Sequence, residues 1–346
     1  MDVIILPFII AVVLSYGFTP FAKEMAHKIG AIDVPKDERR VHSKPIPRLG
    51  GLAIYMAFMI AFVLFSKMPS QQMYGIMGAS SIIFFTGVID DVHPLSAKVK
   101  MLLQIVAACV IMSVDIRILG FGNPFVEGGY MHLGWLSYPV TLFWIVGITN
   151  TVNLIDGLDG LAAGISAISA SVLVYVALLN GWTDTAVLTA IVAGACIGFL
   201  PYNFNPAQIF MGDGGALLLG FILSTISVTG TLKSATALTI AVPVLALGVP
   251  IFDTTFAIVR RLVMKRPIME ADKGHLHHRL LTIGFDQKGA VMRLYSISVL
   301  LGVGAAFIAA GSLINALVSL AIGIVLIMIP ISQTTASGER LVRTRK

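Results

Sequence analysis

The sequence predicts an all-α polytopic membrane protein of about eleven transmembrane helices, and three observations carry that prediction. Hydrophobic residues fill 57% of the 346 positions, only 12% are charged, and the mean hydropathy is +0.90. Soluble globular domains do not have this balance. Apolar stretches near the ~20 residues that cross a bilayer recur along the whole chain. The basic residues that separate them are sorted to one side.

The candidate spans are 2–22, 49–66, 73–89, 98–114, 138–153, 160–180, 185–201, 214–230, 235–262, 292–310 and 313–330. The first follows Asp2 with no basic region and no small-residue cleavage site, so it is expected to be a retained span and not a leader. With the N-terminus outside and the C-terminus cytoplasmic, 21 of the 24 Lys and Arg residues fall on the inner side, leaving Lys67, Arg117 and Lys233 outside. Cytoplasmic loops are enriched in Lys and Arg, which orients the chain. The net charge of +6 is therefore a record of topology and of attraction to the lipid bilayer, with no nucleic acid partner implied. Cys109 and Cys196 both sit in apolar runs, as inert buried thiols do. The segment 115–137 mixes turn residues with alternating apolar ones and is expected to form a small external β-hairpin. Pro243 and Pro250 interrupt the ninth span, which should be bent there. No internal repeat is evident.

The same orientation brings Asp90, Asp91, Asp156, Asp159, Asp213 and Asp253 to the inner face. Carboxylates at a membrane boundary are costly, so they mark a functional site. The stretch from Asn150 to Leu161 holds Asn150, Asn153, Asp156 and Asp159 at three-residue intervals; if helical, it carries them on one slowly drifting face. Asp90 and Asp91 end the third span, and two adjacent carboxylates are retained most readily when they share a cation or a proton-bearing substrate. Asp213 lies between glycines at the start of the eighth span, where an N-cap is the plain alternative. Free N–H groups there would suit a metal-bound pyrophosphate.

His275, His277, His278 and Arg279 form the basic loop after the ninth span. Zinc is disfavoured by their spacing and by the lack of a cysteine partner. An anionic substrate fits better, with Arg279 able to grip phosphate oxygens in two places. Lys44 and Arg48 supply a second cationic element just before the second span. Acids clustered at one face beside His and Arg favour an enzyme over an ion- or proton-coupled transporter, which would hold its acids at mid-membrane depth.

Together, Asp90-Asp91, the Asn150 to Leu161 run, Phe210-Met-Gly-Asp213-Gly-Gly and His275-Leu-His-His-Arg279 resemble the polyprenyl-phosphate N-acetylhexosamine-1-phosphate transferase superfamily, of the glycosyltransferase 4 type. The likeness extends from His42 to Arg279. The His-x-His-His-Arg form resembles the bacterial branch that uses N-acetylglucosamine, because Leu276 interrupts the three consecutive histidines of the muramoyl-pentapeptide branch. The chain departs from the family pattern at Gly214-Gly215-Ala216, where a hydroxyl residue is expected.

The resemblance implies transfer of N-acetylglucosamine 1-phosphate from UDP-N-acetylglucosamine to undecaprenyl phosphate, with Mg²⁺ as cofactor and Mn²⁺ as its substitute. It implies a catalytic integral-membrane domain over 1–330, followed by a basic cytoplasmic tail over 331–346, and leaves a homodimer open. By correspondence, Asp213 and Asn153 are the expected metal ligands. Asp90, Asp91, Asp156 and His275 are the expected catalytic groups, and His277, His278, Arg279, Asn150, Asp159, Lys44 and Arg48 are expected to bind substrate. A lipid phosphate is mostly dianionic at pH 7, so direct displacement is favoured over a covalent phosphosugar intermediate. Another UDP-N-acetylhexosamine would undergo the same chemistry.

Overall fold

A computed structural model describes residues 2–35, 45–122, 130–230, 240–265 and 274–326. Lys44, the centre of the 115–137 segment and the tail 331–346 lie outside the described residues. The chain is mostly helical. Its helices are α1 (Asp2–Ile29), α2 (Gly51–Phe65), α3 (Ser70–Val92), α4 (Ala97–Ser113), α5 (Ser137–Ile155), α6 (Leu161–Leu179), α7 (Thr183–Asn203), α8 (Gly212–Thr229), α9 (Ala241–Ala246), α10 (Gly248–Val263), α11 (Leu276–Thr282) and α12 (Gln287–Ala309), followed by α13 (Leu313–Leu326).

Seven of the described helices, α1, α3, α5, α6, α7, α8 and α12, are long and apolar enough to cross a membrane by length and composition. About eleven spans were expected. The difference lies in shorter elements: α2 has 15 residues and α4 has 17. At 1.5 Å per residue, α2 reaches only about 22 Å, short of a hydrocarbon core of about 30 Å. The ninth expected span is two helices. It breaks at Leu247, between Pro243 and Pro250, where bending was expected. Pro250 has no N–H to give the Ala246 carbonyl, and Ser169 Oγ donates to that oxygen instead at 2.6 Å.

Small residues set the helix spacing. In the absence of a hydrophobic drive between helices in lipid, close backbone approach supplies much of the packing. Gly194 and Gly198 stand one turn apart on α7 and face α1. A methyl group at either would come within 2.4 Å of the Phe8 carbonyl oxygen or 2.3 Å of that of Val12. Helix α8 sits innermost, against α3, α5, α2, α6 and α7. Gly87 of α3 meets Gly214 of α8, with room for no side chain on Gly87: an added carbon would lie 2.4 Å from Gly214 Cα. Gly51 of α2 meets Gly215 in the same way. These glycine-to-glycine contacts give a packing reason for Gly214-Gly215, where a hydroxyl residue was expected. Cys196 is buried in α7, whereas Cys109 is exposed on the outside of α4 and departs from the buried state expected for it.

Two short antiparallel pairs complete the fold. Strand β1 (Ile32–Asp33) pairs with β2 (Ile46–Pro47). Strand β3 (Gly120–Gly122) pairs with β4 (Tyr130–His132), within the segment read as a hairpin. The β3–β4 pair follows the far end of α4, away from the helix ends that carry the acids.

Candidate active site

The acids meet where the C-terminal ends of α3 and α5 lie beside the N-terminal ends of α2, α4 and α8. Asp90 and Asp91 are consecutive on α3, about 100° apart around its axis, and so reach different partners. Asp90 accepts the Leu95 N–H at 2.6 Å and Lys100 Nζ at 2.7 Å. Lys100, from the first turn of α4, also reaches Asp213 Oδ2 at 3.4 Å. Asp90 and Asp213 thus face each other with one ammonium group between them.

Asp91 is turned into the protein, its side chain 1% exposed, with Arg48 Nη2 at 2.5 Å from Oδ1. It also accepts the N–H groups of Asp213 at 3.0 Å and Gly214 at 3.2 Å. Among the described residues, the two adjacent carboxylates therefore meet different protein cations, Lys100 for Asp90 and Arg48 for Asp91. The start of α8, expected to offer free N–H groups to a pyrophosphate, gives these two to Asp91. The N-cap residue of α8 is Met211, so Asp213 is not the cap.

Arg48 is delivered by local backbone pairing. Its N–H donates to the Ala31 carbonyl, Phe210 N–H to that of Pro47, and Gly50 and Gly51 N–H to those of Phe210 and Met211. The loop before α2 is thereby laced to β1 and to the approach to α8. Arg48 then reaches Asp213 Oδ1 at 3.6 Å. Burial opposes its charge, but Asp91, Asp213 and Asp33 outweigh that and hold its pKa above the ordinary value.

The Asn150 to Leu161 run does not stay on one helical face. Helix α5 ends at Ile155; Asp156 is its C-cap at φ −75°, ψ 52°, and Gly160 is left-handed at φ +76°. The four polar residues therefore separate. Asn150 Nδ2 bonds Gln104 Oε1 and the Val146 carbonyl, tying α5 to α4. Asp159 Oδ2 accepts Asn205 Nδ2 at 2.9 Å and the Ala207 N–H at 3.0 Å. Asn153 and Asp156 remain half-buried, and among the described residues their side chains make no hydrogen bond or ion pair. Burial, Asp213 and Asp91 push the Asp156 carboxyl up to about 7, with Arg48 partly offsetting them.

The histidine loop abuts this run. A side-chain carbon on Gly157 would come within 2.5 Å of His277 Nε2, so the bare glycine admits the imidazole. His277 is 3% exposed, and among the described residues its Nδ1 meets no hydrogen-bond partner. Burial and the neighbouring His278 push its pKa down to about 3, keeping it neutral. His275 Nδ1 meets Asp253 Oδ2 at 2.9 Å. Arg279 donates through Nε to the Gly274 carbonyl at 3.0 Å and lies over the Phe256 ring at 4.8 Å. Arg260 donates to the same carbonyl at 2.8 Å.

Sequence reasoning counted Lys100 only as a topological charge and placed Asp253 among the inner-face acids without a role of its own. The signal for Lys100 was its place one turn into a helix that follows two aspartates. The signal for Asp253 was a carboxylate within a proline-broken apolar span. Four carboxylates, Asp90, Asp91, Asp156 and Asp213, face two cations, Arg48 and Lys100. The formal excess is two negative charges. Among the described residues, no three His, Cys, Asp or Glu side chains are gathered as a ready-made metal cage. A hard dication that takes one or two protein oxygens and completes its shell from water and phosphate needs no such cage. The charge excess and the unengaged oxygens of Asn153 and Asp156 fit such an ion.

Residues 73–231, from α3 to just past α8, match the family described as Glycosyl transferase family 4. A probable undecaprenyl-phosphate N-acetylglucosaminyl 1-phosphate transferase of Bacillus subtilis strain 168 is 42% identical over 99% of this chain and 94% of its own. A decaprenyl-phosphate N-acetylglucosaminephosphotransferase of Mycolicibacterium smegmatis is 35% identical over 95% of this chain and 89% of its own. The undecaprenyl-phosphate alpha-N-acetylglucosaminyl 1-phosphate transferase of Escherichia coli K12 is 26% identical over 82% and 78%. The matched segment contains Asp90, Asp91, Lys100, Asn153, Asp156 and Asp213, and the likeness to the Bacillus relative runs nearly end to end: the chain belongs to glycosyl transferase family 4.

Proposed function

We propose that this protein transfers N-acetylglucosamine 1-phosphate from UDP-N-acetylglucosamine to undecaprenyl phosphate, releasing UMP, at the cytoplasmic face of the bacterial plasma membrane. The product, undecaprenyl-diphospho-N-acetylglucosamine, would begin a cell-envelope polysaccharide or teichoic acid. The observation that carries this reading is the Asp90, Lys100, Asp213 and Arg48 cluster beside the unengaged Asn153 and Asp156. The names of the relatives given above point to the same reaction.

Phosphoryl transfer asks chiefly for positioning and charge neutralisation. A lipid phosphate oxygen bonds to the sugar-bearing phosphorus as that phosphorus loses its bond to the bridging oxygen, and UMP departs with the bridging oxygen. Bound Mg²⁺, or Mn²⁺ in its place, would neutralise the diphosphate; Asp213 and Asn153 are the residues suited to hold it, with Asp156 beside them. Lys100 and Arg48 balance the acids and keep Asp213 oriented. Asp90 would accept the proton carried by the minority monoanionic form of the acceptor. Asp91 organises Arg48 and the start of α8. His275, His277, His278 and Arg279 face the donor phosphates, while Asn150 and Asp159 hold the elements around them. Direct displacement suits this arrangement, since a dianionic acceptor is already nucleophilic.

The test is UMP release by the purified chain with Mg²⁺, UDP-N-acetylglucosamine and undecaprenyl phosphate. Release well above an Asp213→Asn control is expected. Equal release would refute the reading, and trials with other UDP-N-acetylhexosamines identify the sugar. An enzyme-bound phosphosugar formed without the acceptor would overturn direct displacement.

A further inference from the structure

Asp253 takes no part in the chemistry above, yet it is 3% exposed and both of its oxygens serve one short segment. Oδ2 meets His275 Nδ1 at 2.9 Å, and Oδ1 accepts the Leu276 N–H at 2.7 Å. The second contact satisfies the first N–H of α11, whose N-cap, His275, makes no side-chain cap bond. The first contact orients an imidazole. With Nδ1–H turned to a carboxylate, Nε2 is the ring nitrogen left for another partner, an acceptor when neutral and a donor when protonated.

The ring plane is held as well. His277 lies parallel to His275, with centroids 5.8 Å apart and 5° between planes, and Gly157 makes room for His277 beside the Asp156 turn. A buried carboxylate without a partner is costly, whereas one bonded through both oxygens fixes its partners in a single geometry. Asp253 comes from α10, beyond the break at Leu247, and joins that helix to the histidine loop.

We propose that Asp253 is a positioning residue for the transfer reaction: by capping α11 and orienting His275, it presents His275 Nε2 to a phosphate of the sugar-nucleotide donor. This rests on the reading of the His275 to Arg279 loop as donor-facing. Asp253 itself touches no substrate.

The full-length protein is compared with Asp253→Asn, Asp253→Glu, His275→Gln and the double variant Asp253→Asn/His275→Gln, by UMP release at varied donor and acceptor. Hydrogen exchange of residues 274–282 is measured without substrate. Asp253→Asn is expected to lower kcat/KM for the donor roughly 10- to 100-fold, as losses of orienting partners do, with the acceptor KM unchanged. The double variant should be no slower than His275→Gln alone, and exchange of the loop should quicken. Asp253→Glu, which keeps the charge, should recover part of both and carries the test if the asparagine variant does not fold. A normal kcat/KM in Asp253→Asn, or losses that multiply in the double variant, would overturn the proposal. If the unmodified protein releases no UMP, the donor reading fails separately and hydrogen exchange decides whether Asp253 holds the loop: unchanged protection overturns it, faster exchange upholds it.

Discussion

Asp91 accepts the backbone N–H of Asp213 at 3.0 Å, so the acid that ends α3 holds the acid that begins α8. The same carboxylate pairs with Arg48. Removing it leaves a guanidinium and two helix-terminal N–H groups without their partner. Asp91→Ala is expected to cost about 3 kcal/mol of stability, the lower range for breaking a buried pair, and to abolish turnover. A thermal unfolding series in detergent checks this; an unchanged midpoint would show that Asp91 does not organise the α3–α8 junction.

Asp90 and Asp213 share Lys100 but should fail differently. Asp213→Asn is expected to reduce activity on the order of 100-fold, as losses around a metal site do, and to raise the Mg²⁺ concentration needed for half-maximal rate. Asp90→Asn should lower kcat while leaving the donor KM near normal. Initial rates over a grid of Mg²⁺ and donor separate the two, and identical profiles would refute the division of roles.

Asp156 makes the site sensitive to pH. Its carboxyl, pushed up to about 7, is mostly protonated at pH 6 and mostly ionised at pH 8. A cation binds the ionised form, so Mg²⁺ affinity should fall as pH falls, by about tenfold between pH 8 and pH 6. Asp156→Asn should flatten that dependence. Calorimetric titration at the two pH values measures it directly, and equal slopes in both proteins would remove Asp156 from the metal's surroundings.

Gly157→Ala places a methyl group against His277 Nε2. The imidazole must swing away, so the donor KM should rise severalfold with little change in the acceptor KM. Steady-state kinetics with each substrate varied in turn makes the comparison. A change confined to the acceptor would separate His277 from the donor site.

Arg279→Ala should also act on the donor, raising its KM by about tenfold, near the energy of a charge-assisted hydrogen bond. Arg279→Lys keeps the charge without the planar fork and should restore little. Full recovery by lysine would show that the fork shape is immaterial.

Much of the fold was readable because burial in lipid imposes long apolar runs, and helices occupy or overlap each run singled out above. The bend near Pro243 and Pro250 followed from the missing N–H of proline. The gathering of Asp90, Asp156 and Asp213 at one end was readable from the alternation of spans. Individual partners were not. A two-residue strand such as Ile46–Pro47 has no periodicity to detect, yet it delivers Arg48. Adjacent acids look alike in sequence, yet one helical step sends Asp90 toward Lys100 and Asp91 toward the α8 backbone. Asn150 and Asp159 looked equivalent to Asn153 and Asp156 until the end of α5 at Ile155 divided them. Lys100 and Asp253 take their significance from residues far away along the chain.

The site draws on opposite termini of different helices: the C-terminal ends of α3 and α5 and the N-terminal ends of α4 and α8. Their coincidence is therefore a matter of parity. Four of the described helices, α4 to α7, lie between Val92 and Gly212, and that even number of reversals returns the chain to the end at which Asp90 stands. Adding or removing a single helix there would carry Asp213 to the far end of the bundle even if every motif survived intact, whereas helices added or removed in pairs would leave the two acids together.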